Sequence, residues 1–207
     1  FSAFTPTTGR ELWSTDGTAA GTRMELDINP GTAWSQPGGL TVAGDRLYFG
    51  ANDGVHGSEP WSSDGTTDGT RMINEIIPGP GSSFPAYFTV LGDRVFYRAY
   101  TTASATKPFV SGPGVPAGIR QLDALAFDVD LNVGGFAVVG GRVLFRAGDA
   151  TTGGELWVSS GQPGDARPIA QFTPGPVGGN PVFLTTLGDR VLFAAYAPDT
   201  GEELWAS

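Results

Sequence analysis

The chain has no cysteine and a single histidine, His56, in 207 residues. Without thiols there is no disulfide framework, no thiolate zinc site and no cysteine nucleophile, and one histidine cannot build a multi-histidine metal centre. Cations are scarce as well: 12 Lys plus Arg stand against 21 Asp plus Glu, a net charge of −9. So acidic a surface repels phosphate backbones and anionic headgroups, which argues against nucleic acid as a partner. No run approaches the roughly 20 uncharged apolar residues of a spanning helix, so no membrane insertion is expected. The opening FSAFTPTTGR has neither the basic start nor the apolar core of a signal peptide, and it begins on Phe1 rather than Met. A processed product or part of something longer is the expectation. Helical periodicity is missing too, since no window of about 12 residues carries an i, i+3, i+4 apolar stripe free of Gly and Pro.

Glycine is abundant, and so is repetition. Hydrophobic residues make up 40% of the chain and aromatics 11%, enough for a folded body rather than a disordered tail. Trp13, Trp61, Phe109, Trp157 and Trp205 recur at a spacing of 48, as do Gly44, Gly92, Gly140 and Gly188, and Arg46, Arg94, Arg142 and Arg190. Within one unit, GLTVAGDRLYFGA reads as two strands joined by a Gly-Asp hairpin. SEPWSS and RMINEII read as two more, separated by the turn DGTTDGT, and the prolines of PGPGSSFP mark the link to the next unit. Units of about 40 to 50 residues with four antiparallel strands are the blades of β-propellers. The predicted fold is therefore all-β, a β-propeller of 48-residue four-stranded blades, about five blades or partial blades in this chain. The predicted units are 1–38 (partial), 39–86, 87–134, 135–181 and 182–207 (partial) of one propeller domain or arc. The repeated Trp then packs between neighbouring sheets. Burying such a ring removes about 150–250 Å² from water, roughly 4–6 kcal/mol as an upper bound.

The strings ELWSTDGTAAGT (11–22) and EPWSSDGTTDGT (59–70), with LDINPG and RLYFGANDGVHG, resemble the bacterial ELWxxDGT repeat family. The resemblance spans essentially the whole chain. It implies propeller blades of an exported or cell-surface bacterial protein, and implies little about activity. Lys107, Pro108 and Phe109 replace the signature in the third unit, and Ser160, Gly161 and Gln162 replace Asp-Gly-Thr in the fourth. The signature's turn is also similar to the Asp-box hairpin of sialidase-type propellers, itself a structural motif.

Several residues are candidates for chemistry. Glu11, Glu59, Glu155 and Glu203, each two residues before the repeated Trp, are expected to accept hydrogen bonds from backbone or Arg rather than to ring a cation. Asp16 and Asp64 are expected to accept backbone N–H groups of their own turns. His56 reads as a loop histidine, a general base only if it meets a nucleophile. Asp53, Asp149 and Asp199 lie in loops predicted on one rim and are weak candidates for Ca²⁺, with no dense carboxylate spacing to support them. No other cofactor is expected. Trp34 falls outside the repeat register, as a stacking platform for a sugar or a cap on a gap between blades. The leading expectation is a non-catalytic module, secreted or on the cell surface, that binds a protein or glycan. A structural subunit of a larger assembly and a propeller enzyme such as a glycoside hydrolase or lyase are the alternatives.

Overall fold

The computed structural model describes residues 1–102, 106–115, 118–122, 135–149 and 151–207, with the backbone alone at Asp149. Residues 123–134, the end of the predicted third unit, lie outside the described residues. The described chain is all-β and forms five antiparallel meanders in chain order. The first sheet holds β1 (Ser2–Thr5), β2 (Gly9–Ser14) and β3 (Arg23–Leu26). The second holds β4 (Gly38–Ala43), β5 (Arg46–Asn52), β6 (Ser58–Ser63) and β7 (Arg71–Met72). The third holds β8 (Ala86–Leu91), β9 (Arg94–Tyr100), β10 (Thr106–Ser111) and β11 (Ile119–Gln121). The fourth holds β12 (Ala137–Val139), β13 (Arg142–Asp149), β14 (Gly153–Ser159) and β15 (Arg167–Ala170). The fifth holds β16 (Val182–Leu187), β17 (Arg190–Ala197) and β18 (Gly201–Ala206).

Local chemistry sets these elements. The β4–β5 hairpin turns at Gly44, whose φ of 62° is open to glycine at little cost. The third strand of the second sheet matches SEPWSS, whereas the fourth ends at Met72, well short of the RMINEII expected. The reason is competition for donors. The N–H groups of Ile76 and Ile77 bond to the Glu59 carboxylate instead of to a strand, so the segment peels away from β6.

Four hydrophobic seams join consecutive sheets, each combining side chains from both. Leu12 and Ile28 meet Phe49, Ala51 and Trp61 at the first, and Ala43 and Tyr48 meet Val95, Tyr97, Ala99 and Phe109 at the second. Phe96, Val110 and Leu122 meet Val143, Phe145 and Trp157 at the third, and Leu144, Leu156 and Val158 meet Val191, Phe193 and Trp205 at the fourth. The strands β4, β8, β12 and β16 touch in succession along one side of this series. Because the meander alternates direction, the connectors between sheets share one rim with the β1–β2, β5–β6, β9–β10 and β17–β18 loops. The short hairpin turns share the other.

Candidate functional site

Glu11, Glu59 and Glu155 are buried, and each carboxylate fastens the connector that leaves its own sheet. Glu11 accepts the N–H of Ile28 at 3.0 Å and of Ser35 at 3.1 Å, plus the Ser35 hydroxyl at 2.5 Å. Glu59 accepts Ile76 and Ile77 N–H groups at 3.0 and 3.3 Å and the Ser83 hydroxyl at 2.7 Å. Glu155 accepts Phe172 and Thr173 N–H groups at 3.1 and 3.5 Å. Burial raises the pKa of all three, and the donated hydrogen bonds oppose it. Each carboxylate thus takes its donors from its own connector, as expected of these acids. Glu203, in the same register, is exposed.

The turns are built around an aspartate. Asp16 accepts the Thr18 N–H at 2.9 Å and its hydroxyl at 2.7 Å, and Asp64 repeats both bonds with Thr66 at 3.0 and 2.7 Å. The Thr hydroxyls, followed by the N–H groups, hold both carboxyls below their usual range. In the fourth sheet the Asp position is Ser160, and Asp165 supplies the carboxylate, accepting Ser159 Oγ at 2.5 Å, Ser160 N–H at 2.8 Å and Ser160 Oγ at 2.5 Å.

On the connector rim, His56 Nδ1 lies 2.6 Å from Asp53 Oδ2, and Asp53 Oδ1 accepts the N–H groups of Val55 and His56 at 2.9 and 2.8 Å. Asp53 titrates lower than usual: burial works against this, but the His56 and Val55 donors prevail. His56 titrates higher, chiefly through its hydrogen bond to Asp53. With these donors Asp53 already has much of its acceptor capacity in use; Asp199 is exposed, and the Asp149 side chain lies outside the described residues. Among the described residues no group of three His, Cys, Asp or Glu side chains converges on a metal-sized space. Trp34 is 47% exposed, edge-on to Phe4 at 5.7 Å, with the Arg10 guanidinium 5.9 Å from its ring.

Other residues of this rim went unnoticed in the sequence. Phe84 and Tyr87 are exposed in left-handed conformations, φ 45° and 58°, as is Phe183 at 57°. Each such conformation in a bulky residue costs on the order of 1–2 kcal/mol. Between the second and third sheets a cavity of about 270 Å³ is lined by Gln36, Ser58, Phe84, Arg98 and Tyr100. The Arg98 guanidinium lies 4.8 Å over the Tyr87 ring, and its Nε and Nη1 are buried without hydrogen-bond partners among the described residues. In the fourth sheet the matching Arg146 donates to Asn180 Oδ1 at 2.6 Å; Asn132, in Asn180's register, lies outside the described residues. Arg98 and Arg146 share a register in which the second and fifth sheets hold Gly50 and Ala194.

Neither a family model nor a curated protein matches this sequence. Solved structures do. A puromycin hydrolase aligns over 99% of this chain at 18% identity with a TM-score of 0.57, and this chain spans 33% of its length. A puromycin-hydrolyzing peptidase of Mycobacterium tuberculosis aligns over 95% at 13% identity, also with a TM-score of 0.57, and this chain spans 31% of it. The β-propeller domain of the Trilobed protease from Pyrococcus furiosus aligns over 99% at 13% identity with a TM-score of 0.49. At these identities the likeness to the first two is one of fold. These neighbours overturn the expectation of a non-catalytic protein- or glycan-binding module, because the chains that share this arrangement are hydrolases and peptidases. The expectation rested on finding, among residues outside the repeat such as Trp34 and His56, no cluster with the composition of an active site.

Proposed function

We propose that the five sheets are blades of a β-propeller, built on the 48-residue repeat, and that the propeller is part of a hydrolase acting on peptides or peptide-like amides. The observation that supports this most is the alignment of nearly the whole chain with a puromycin hydrolase whose length it spans by about a third. In this reading the connector rim faces the substrate. Its exposed Phe84, Tyr87 and Phe183 offer ring faces and edges to apolar groups of an amide substrate, and the Arg98 cavity adds a polar recess beside them. The same proposal has the protein secreted or on the cell surface of a bacterium, a reading motivated by its resemblance to ELWxxDGT repeats.

The test is hydrolysis by the full-length protein of a panel of aminoacyl and short peptidyl p-nitroanilides, read as release of the chromogenic amine. Release above the uncatalysed rate, reduced by Tyr87→Ser or Phe84→Ser at the rim, is the expected result. A full-length protein that folds and releases no amine from any member overturns the reading.

A further inference from the structure

The second seam holds a second cavity, of about 360 Å³, on the rim opposite the connectors. It is lined by Arg46 and Tyr48 of β5, Ser62 of β6 and Arg71 of β7, with Ile73 and Asp45 beside them and Gly112, Pro113 and Gly118 of the third sheet across from them. Tyr48 pairs with Ser62, and Ser62 with Arg71, so three neighbouring strands present these side chains on one face.

Comparison with the next seam gives this face its meaning. In the third sheet the same register holds Phe96, Val110, Arg94 and Arg120, with Val110 paired to Arg120 as Ser62 is to Arg71. The two apolar side chains are fully buried, and both arginines converge on one acceptor: Arg94 Nη1 reaches the Gly161 carbonyl at 3.4 Å, and Arg120 Nη2 bonds the same oxygen. Here, among the described residues, Arg46 and Arg71 meet no such oxygen. Arg46 Nη1 is buried without a hydrogen-bond partner, and the nearest anion to that guanidinium is Asp64, 3.8 Å from Nη2. A buried, unpaired guanidinium nitrogen forfeits the hydrogen bond it made to water, a loss that a ligand oxygen would offset. Tyr48 and Ser62 replace Phe96 and Val110, adding two hydroxyls whose oxygens make no hydrogen bond among the described residues. Asp45 is the one acid in the lining, exposed at the hairpin tip.

We propose that this cavity binds a small organic carboxylate, held by Arg46 and Arg71 as their counterparts hold the Gly161 oxygen, with Tyr48 and Ser62 donating to it. The forked guanidinium matches a carboxylate, and the Tyr48 ring, Ile73 and Pro113 supply an apolar wall for a carbon framework. The site stands apart from the connector rim and does not depend on the hydrolase reading.

Calorimetric titration of the purified chain with benzoate, with its neutral isostere benzamide and with inorganic phosphate tests this directly. Benzoate should saturate with one site, and benzamide should bind at least tenfold more weakly. Arg71→Met, on an exposed edge-strand residue, should raise the benzoate Kd at least tenfold. The double variant Tyr48→Phe with Ser62→Val, which installs the third sheet's own residues, should weaken benzoate while leaving the fold intact by circular dichroism. Absent saturation by benzoate, equal binding of benzamide, phosphate in preference to benzoate, or an unchanged Kd in Arg71→Met each overturns the proposal.

Discussion

A carboxylate that is buried yet fully supplied with donors is more costly to alter than to keep. Glu59 accepts three hydrogen bonds from the connector, and Gln in its place turns an NH₂ group toward N–H donors at one of the two oxygens. Leaving such donors unmet costs about 1–3 kcal/mol. Glu59→Gln should therefore lower stability by about 2 kcal/mol in urea denaturation. Glu203→Gln provides the matched control, since Glu203 has the same register but is exposed, and its change should stay within about 0.5 kcal/mol. Equal losses at both positions would show that the connector bonds carry no stability. The sequence alone placed these acids beside the Trp on the right face, but not the connector amides they hold, because no pattern of residue types reveals which backbone N–H lies near a carboxylate.

Turns offer a sharper case at the scale of elements. In the first two sheets Asp stands at the turn's start and Gly five places on, where a Cβ on Gly21 or Gly69 would fall on the Asp16 or Asp64 carboxylate. The fourth sheet inverts the pair, with Ser160 first and Asp165 at the glycine's position, so one carboxylate still occupies the shared space. Asp165→Gly alone should lose about 1–2 kcal/mol with its three bonds. Ser160→Asp alone sets two carboxylates against each other and should also destabilise. The double exchange restores the Asp and Gly of the first two turns, though Gln162 stands where they have Thr18 and Thr66, so a double-mutant cycle should return a favourable coupling of about 1 kcal/mol or more. Additive losses would refute the shared-space account. Legibility here was uneven for a physical reason. Strand β6 was read at its true bounds because its alternation is sequence-local, whereas nothing in the sequence tied Asp165 to the place of the fourth unit's missing Asp-Gly-Thr. Strand β7 was overread because its apolar residues follow the pattern while their amides answer to Glu59.

The molecule as a whole is a series in which each sheet is packed by its neighbours in chain order. The four seams have separate side-chain sets, and no core cluster links the first sheet to the fifth among the described residues. Architectures of this kind behave as coupled units with nearest-neighbour interfaces, so damage at one seam need not travel to the next but one. Phe49 is fully buried in the first seam against Leu12 and Ile28. Removing a buried ring of this size costs about 3–5 kcal/mol, through lost transfer energy and the cavity left behind. If the interfaces are separable, Phe49→Ala should speed amide hydrogen exchange in β1, β2 and β3 and in β5 and β6. Exchange in β13, β14 and β17, two seams away, should stay near that of the parent chain. Hydrogen exchange followed by mass spectrometry reads each peptide independently. A uniform rise across all five sheets would instead mean that the chain opens only as one cooperative body, with the seams acting as a single core.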